Sequence, residues 1–444
     1  KIVPSDWKLA NVTPVFKKGS KFDVANYSPI SLTSVICKIF ESIIRDAVMQ
    51  HLTKNKLLSD RQFGFVKGRS TVLQLLHVLD QWTHDLESGG QIDSIYIDFE
   101  KAFDKVPHRR LLSKLNSYGI DQDIIEWICS FLCGRKQRVK VNSIYSSWSN
   151  VLSGIPQGSI LGPLLFIIYI NDLVEVCNHT NIFLYADDAK IFRYISDIHD
   201  YQLIQKDLNM VNNWANQWLL KLNINKCKSA SYGRTINFNN PYTLNNSALE
   251  SVHEFNDLGV LFDTKLTFRK HIDSKINKAY QALGVIKRHF KYINSDTFLL
   301  IYKAMVRSHL EYANTVWSPY YKEDIKRLEK VQMKATKLVY SIRDLPYSDR
   351  LQRLKLPTLI YRRHRGDMIE VFKNIRGFYD SDVSLNFSVN AAPVLCTRSN
   401  CYKLFQQHVH YNLRRYYFTN RVISVWNSLP DYVVSAPSVN SSFS

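Results

Sequence analysis

No stretch of this 444-residue chain is long and apolar enough to span a bilayer. The longest apolar run, ILGPLLFIIYI at 160–170, is short and is broken by Gly162 and Pro163. No secretory leader is present and the first residue is Lys1, not methionine, which together with the serine-rich tail reads as a piece of a longer polyprotein. Internal repeats and low-complexity tracts are missing, which excludes a solenoid. Cysteine is scarce: seven, scattered and odd in number, which excludes a secreted disulfide framework and points to an intracellular, reducing place, nucleus or cytoplasm. Cys129 and Cys133 lie one helical turn apart and read as helix packing. Cys396, Cys401, His408 and His410 tempt a zinc reading, but their spacing fits no usual finger. Acidic residues are in the minority, 39 against 58 Lys+Arg, for a net charge of +19. A surplus of that size suits a polyanionic partner, nucleic acid before membrane.

What is present is a folded chain, 45% hydrophobic and rich in aromatics, long enough for several domains. Val35, Ile36, Ile39, Phe40, Ile43, Ile44, Ala47 and Val48 recur at helical spacing. A second helix is predicted after KGRST with Ser70 as its N-cap. IDSIYIDF (92–99) reads as a buried strand ending at Asp98. LLSKLNSYGI and IIEWICSFL read as helices, and 135–151 as a hairpin. Beyond residue 265 amphipathic helices dominate. One carries Ile272, Ile276, Ala279, Leu283, Ile286 and Phe290. Another carries Ile325, Leu328, Val331, Ala335 and Leu338, with Lys326, Arg327, Lys330, Lys334 and Lys337 on its other faces.

The chemistry concentrates at strand ends. Asp98 closes SIYIDF, and Asp187 and Asp188 follow IFLYA. Adjacent carboxylates repel and raise each other's pKa, so the pair is either solvated at a hairpin tip or neutralised by a cation. If both strands share a sheet, the acids converge, and hard oxygen ligands of this kind suit magnesium. Two such ions about 4 Å apart activate an attacking hydroxyl and stabilise a departing pyrophosphate. Between the acids lies SGIPQGSILGP (153–163), whose glycines allow close backbone approach to a planar base and whose Gln157 offers hydrogen bonds. Phe103, five residues after Asp98, is placed to stack beneath a sugar.

YIDFEKAFDKVPH, SGIPQGSILGPLLFIIYINDL and YADD resemble motifs A, B and C of reverse transcriptases, most of all those of non-LTR (LINE, jockey-like) retrotransposons. The resemblance extends to DWKLANVTPVFKKGSKFDVANYSPISLTSVICKIFE, RQFGFVKGRST, LNINKCKS and FNDLGVLFD, and so covers most of the chain. It implies an α+β right-hand polymerase with fingers (1–90), an antiparallel-sheet palm (91–262, with part of the fingers interleaved), a helical thumb (263–345) and a C-terminal region of unknown role (346–444). The implied activity is RNA-directed DNA polymerisation with two Mg2+ ions, or Mn2+ in their place. The implied partners are an RNA template, a DNA primer supplied by nicked target DNA, and deoxynucleoside triphosphates.

By position, the resemblance makes Asp98, Asp187 and Asp188 the metal-binding catalytic acids, and Phe103 the steric gate against a ribose 2′-hydroxyl. Gln157 and Gly158 line the nucleotide pocket, Lys17 and Lys18 reach the incoming phosphates, and Lys226 is the proton donor to pyrophosphate. Arg69, Lys326, Lys330 and Lys334 are the candidate contacts to the template–primer duplex. An apurinic-like endonuclease domain is implied upstream, outside this chain, and nothing here resembles a ribonuclease H domain. One departure stands out: the family's Tyr-Arg-Pro-Ile-Ser is YSPIS here, with Ser28 at the arginine position. A copy that only binds nucleic acid is therefore the alternative reading, and an RNA-templated RNA polymerase is a second, against which the bulk of Phe103 argues.

Overall fold

A computed structural model describes residues 2–17, 19–237, 240–387 and 402–439. In chain order the strands are β1 (Leu9–Phe16), β2 (Tyr27–Leu32), β3 (Gln91–Ile97), β4 (Lys136–Val141), β5 (Ile144–Tyr145), β6 (Ser149–Asn150), β7 (Asn181–Tyr185), β8 (Asp188–Ile195), β9 (Lys228–Gly233), β10 (Thr243–Leu244), β11 (Ser247–Ala248), β12 (Glu250–Ser251), β13 (Glu254–Asp257) and β14 (Val260–Asp263). Helices α1 (Val35–Lys54), α2 (Thr71–Asp85), α3 (Ala102–Lys105), α4 (His108–Ser117), α5 (Gln122–Leu132), α6 (Gly162–Ile170), α7 (Ile198–Trp218) and α8 (Arg269–His289) alternate with them. The mixed α+β class expected from the sequence is observed.

The chain divides into two compact units. One comprises Lys1–Lys67, Asp93–Ser229 and Phe238–Ser251; the other comprises Gly68–Ile92, Ala230–Asn237 and Val252–Ser444. These do not coincide with the expected segments 1–90, 91–262, 263–345 and 346–444. The first two segments largely form one unit, but α2 and the β13–β14 hairpin fall in the other. The reason for α2 is its packing. Leu73, Leu75, Leu76, Leu79 and Trp82 are fully buried, Trp82 stacks on Tyr232 at 4.7 Å, and Asp80 pairs with Arg414 at 2.7 Å. Its N-cap is the one expected: Ser70 accepts the Leu73 N–H at 3.1 Å.

A five-stranded sheet has the order β12-β9-β3-β8-β7. β3 is central and buried along its whole length, its polar Gln91, Asp93 and Ser94 included, and the buried Asp93 accepts from Tyr242 O–H at 2.7 Å. β7 and β8 form an antiparallel hairpin, whereas β12 runs parallel to β9, so the sheet is not wholly antiparallel. α6 is buried on every side, which accounts for an apolar run too short to cross a membrane. Among the described residues no helix is long and apolar enough to cross one.

A second sheet has the order β2-β1-β4-β5, with β6 also on β4. The hairpin expected near 135–151 is present. Its tip, Asn142–Ser143, takes positive φ at both residues (46° and 69°), the pattern of a type I′ turn. β4 also pairs in parallel with β1, a contact between residues far apart in sequence.

α1 forms as its spacing predicts, yet its apolar stripe faces outward. Val35, Ile36, Ile39, Phe40 and Ile43 are exposed, and the buried positions are Cys37, Glu41, Val48 and Leu52. In the second unit, the helix Lys322–Thr336 buries Leu328, Val331 and Ala335, as α8 does Ile272, Ile276, Ala279, Leu283 and Ile286, while Phe290 is exposed.

Candidate active site

Asp98 follows β3 at the point where a second segment crosses it. Asn223 N–H donates to the Asp98 carbonyl (2.8 Å), Glu100 N–H donates to Lys221 O (2.8 Å), and Asp98 N–H points at Cys227 Sγ (3.4 Å). Residues 221–227 are thereby tied along 98–100. This brings the Lys226 ammonium to 3.5 Å from Asp98 Oδ2, an oxygen that is buried and accepts no hydrogen bond.

Asp187 arrives from the neighbouring hairpin. Tyr185 pairs with Asp188, leaving Ala186 and Asp187 as a two-residue turn, with Ala186 in the left-handed region at φ 56°. Burial is the main cause that raises the Asp187 carboxyl above the usual range. The Asp98 charge adds to it, and a backbone hydrogen bond and the Lys17 charge oppose it. Asp98 and Asp187 therefore sense one another across the site.

Asp188 does not join them. It is the first residue of β8, one position past the turn that carries Asp187, and is exposed and outside the cavity lining. The sheet brings Asp98 and Asp187 together, and the Asp98 charge is one of the causes that raise the Asp187 carboxyl. Among the described residues no group of three or more His, Cys, Asp or Glu side chains is arranged to hold a metal ion, and Asp98 and Asp187 are the two expected acids that line one cavity. Those two suit a hard cation: both are carboxylates, Asp98 offers an oxygen without a hydrogen bond, and each charge opposes the other.

Both acids open into a cavity of about 410 Å³, lined also by Lys17, Ser28, Phe103, Gln157, Gly158 and Lys226. Seven of the residues singled out in the sequence thus share one cavity with Ser28. Phe103, on α3, is held by stacking on Phe166 of α6, with centroids 4.3 Å apart. Gln157 Nε2 donates to Asp104 Oδ1 at 3.0 Å, which fixes the carboxamide; burial raises the Asp104 carboxyl, and the Gln157 hydrogen bond opposes the shift. Gly158 sits at φ 111°, where a Cβ would lie 2.7 Å from Ser31 O. The loop is pinned to β2 there by the Ser31 N–H to Gln157 O bond of 2.7 Å. Its other end is held by Glu41, fully buried, whose Oε2 accepts from Ile160 N–H (2.7 Å) and Leu161 N–H (3.1 Å) just ahead of α6. That is why a carboxylate occupies the inner face of α1.

The remaining residues lie elsewhere. Lys18, Cys396 and Cys401 lie outside the described residues. Arg69 is buried, with its guanidinium on Asp380 (Nε–Oδ2 2.8 Å, Nη2–Oδ2 2.7 Å), an arrangement that locks a loop and leaves little for a phosphate. Lys326, Lys330 and Lys334 are exposed on their helix in the second unit, Lys334 over the Tyr280 ring at 4.8 Å. Glu41, Asp104 and Gln62, whose Oε1 bonds Ala186 N–H, were not singled out from sequence.

A family model described as reverse transcriptase (RNA-dependent DNA polymerase) matches residues 16–262, more than half the chain. A probable RNA-directed DNA polymerase from transposon X-element of Drosophila melanogaster is 28% identical over 76% of this chain and 38% of its own length. The RNA-directed DNA polymerase from mobile element jockey of Drosophila funebris is 29% identical over 74% and 37%. The chain thus spans less than two fifths of these relatives. Among solved structures, telomerase from Candida albicans with a telomeric RNA fragment aligns over 81% of this chain and 68% of its own, at 10% identity and a TM-score of 0.47. With the motif-bearing residues gathered in one cavity and the family model spanning both acids, the chain belongs to the reverse transcriptase family, the RNA-dependent DNA polymerases.

Proposed function

We propose that this chain adds deoxynucleotides to a DNA 3′-end, copying the RNA of a non-LTR retrotransposon, with nicked target DNA as primer and the nucleus or cytoplasm as its place. The observation that carries this reading is the pair Asp98–Asp187 facing one cavity whose other wall is built by Phe103, Gln157 and Gly158. Asp98 and Asp187 would hold Mg2+, or Mn2+ in its place, which when bound supplies Lewis-acid activation of the 3′-hydroxyl and charge stabilisation of the leaving pyrophosphate. Lys17 adds positive charge for the triphosphate. Lys226, 3.5 Å from Asp98, is placed to pass a proton to the leaving group. Gln157, held by Asp104, presents a fixed edge to the base or sugar. Primer extension on poly(A)/oligo(dT) with Mg2+ tests the reading. Incorporation of deoxythymidylate is expected. Its absence with either metal favours a copy that binds nucleic acid without extending it, a reading that Ser28 in the cavity wall also favours.

Two results should follow. The stack on Phe166 fixes the Phe103 ring, and its removal opens room for a hydroxyl. Phe103→Ala is therefore expected to raise ribonucleotide use relative to deoxynucleotide by roughly tenfold, the scale on which a pocket discriminates one small group. Competition between the two nucleotides measures it, and an unchanged ratio returns Phe103 to a packing role. The exposed Lys330 and Lys334 are proposed to touch backbone phosphates. Replacing both by Gln should lower the slope of log affinity against log salt by about 0.9 for each phosphate that is no longer neutralised, the B-DNA value. A wild-type slope makes them a solvated face.

A further inference from the structure

Residues 61–64 run beside β7 like a fragment of strand. Leu184 N–H donates to Arg61 O (2.9 Å), and Phe63 N–H donates to Leu184 O (2.8 Å). Between these two bonds Gln62, fully buried, folds its amide back toward the hairpin tip. Its Oε1 accepts from Gly64 N–H at 2.8 Å and from Ala186 N–H at 3.0 Å. The fit is close: a Cβ on Gly64 would lie 2.4 Å from the Ala186 nitrogen. Ala186 is the left-handed residue immediately before Asp187.

We infer that Gln62 is a positioning residue of the polymerase site, its single amide oxygen holding the Ala186 turn and thereby aiming Asp187 at Asp98. This rests on the reading of Asp187 given above. A left-handed alanine is disfavoured, so the turn persists only while its surroundings hold it. Without the acceptor, two buried N–H groups go without a partner and the turn relaxes toward ordinary φ. A shift of that kind swings the Asp187 carboxylate, and sites of this type tolerate errors of only about 0.5 Å. The amide oxygen, buried completely, serves the turn twice over.

Three substitutions separate positioning from general stability. Gln62→Leu removes the acceptor at similar volume. Gln62→Asn keeps an amide but is one methylene too short to reach both N–H groups. Gln62→Glu keeps an acceptor at the same reach whether or not it is protonated. Steady-state extension is measured for each, with amide exchange at Ala186 and Gly64 and with primer–template affinity. Gln62→Leu is expected to lower kcat roughly thirtyfold, in line with the cost of small misplacements, with KM for deoxynucleotide and duplex affinity within about threefold of wild type, and to speed exchange at Ala186. Gln62→Asn should fall between, and Gln62→Glu should recover most of kcat, so a Leu variant that fails to fold leaves the test intact. Wild-type kcat and exchange in both the Leu and Asn variants would overturn the inference, as would a loss that Glu does not rescue. Asp187→Asn serves as the control: if it extends primers normally, the reading of the site fails first and this inference with it.

Discussion

Asp187→Asn is expected to lower nucleotide addition by more than about a thousandfold, and Asp98→Asn by a similar factor. A neutral amide anchors a hard cation poorly, and the charge stabilisation at stake is several kcal/mol, each 1.36 kcal/mol being tenfold in rate. Binding of a primer–template duplex should survive, because the two acids contribute no positive charge to it. The geometry adds an ordering that composition could not. Asp188 is exposed and outside the cavity, so Asp188→Asn should cost much less than either of the others. Single-turnover extension by the three variants checks the order. Near wild-type rates for Asp187→Asn would remove the proposed metal site, and equal losses at 187 and 188 would show that the turn presents both acids.

Ser28→Arg is expected to raise kcat/KM for deoxynucleotides about 10–150-fold. Ser28 is paired with Val15 across β1 and β2 and lines the same cavity as Asp98, Asp187 and Lys17. An arginine there would offer a planar fork of donors to a triphosphate, and hydrogen bonds to charged groups contribute roughly 1.5–3 kcal/mol. A serine hydroxyl is neutral and too short to replace them. Lys17 supplies charge from the same side but, as a point cation, not the fork. The gain should fall mostly on KM, since the contact is made before and during the chemical step alike. Steady-state extension over a range of deoxynucleotide concentrations measures it, and equal kcat/KM values would show that position 28 does not touch the triphosphate.

Much of this site was legible before any coordinates. The strand ending at Asp98, the hairpin around the two aspartates, the Ser70 cap and the glycine-rich loop all follow from local chemistry, and they are where expected. What could not be read was direction. Periodicity shows that α1 has an apolar stripe but not which side is covered, and the covered side carries Glu41, because a loop 119 residues away needs an acceptor for two N–H groups. Gln62 and Asp104 were hidden for the same reason: each is polar for the sake of a partner distant in sequence. The partners of α2 were hidden likewise: its apolar face says that it packs but not on what.

The bonds that set the two acids close long stretches of chain. Ala186 is tied to Gln62 across 124 residues, and Asp98 to Cys227 across 129. Contacts of such separation form late, after the entropy of closing the intervening chain has been overcome. At ribosomal speeds of roughly 5–20 residues per second, β3 emerges on the order of ten seconds before the segment that bears Lys226. Over that interval β3 waits first for β8 and then for β9, its two neighbours in the sheet, and a strand with an open edge is a template for wrong pairing. The soluble yield of this chain is therefore expected to depend on what shields the edges of β3 while its partner strands are still being synthesised, as well as on the stability of the finished sheet.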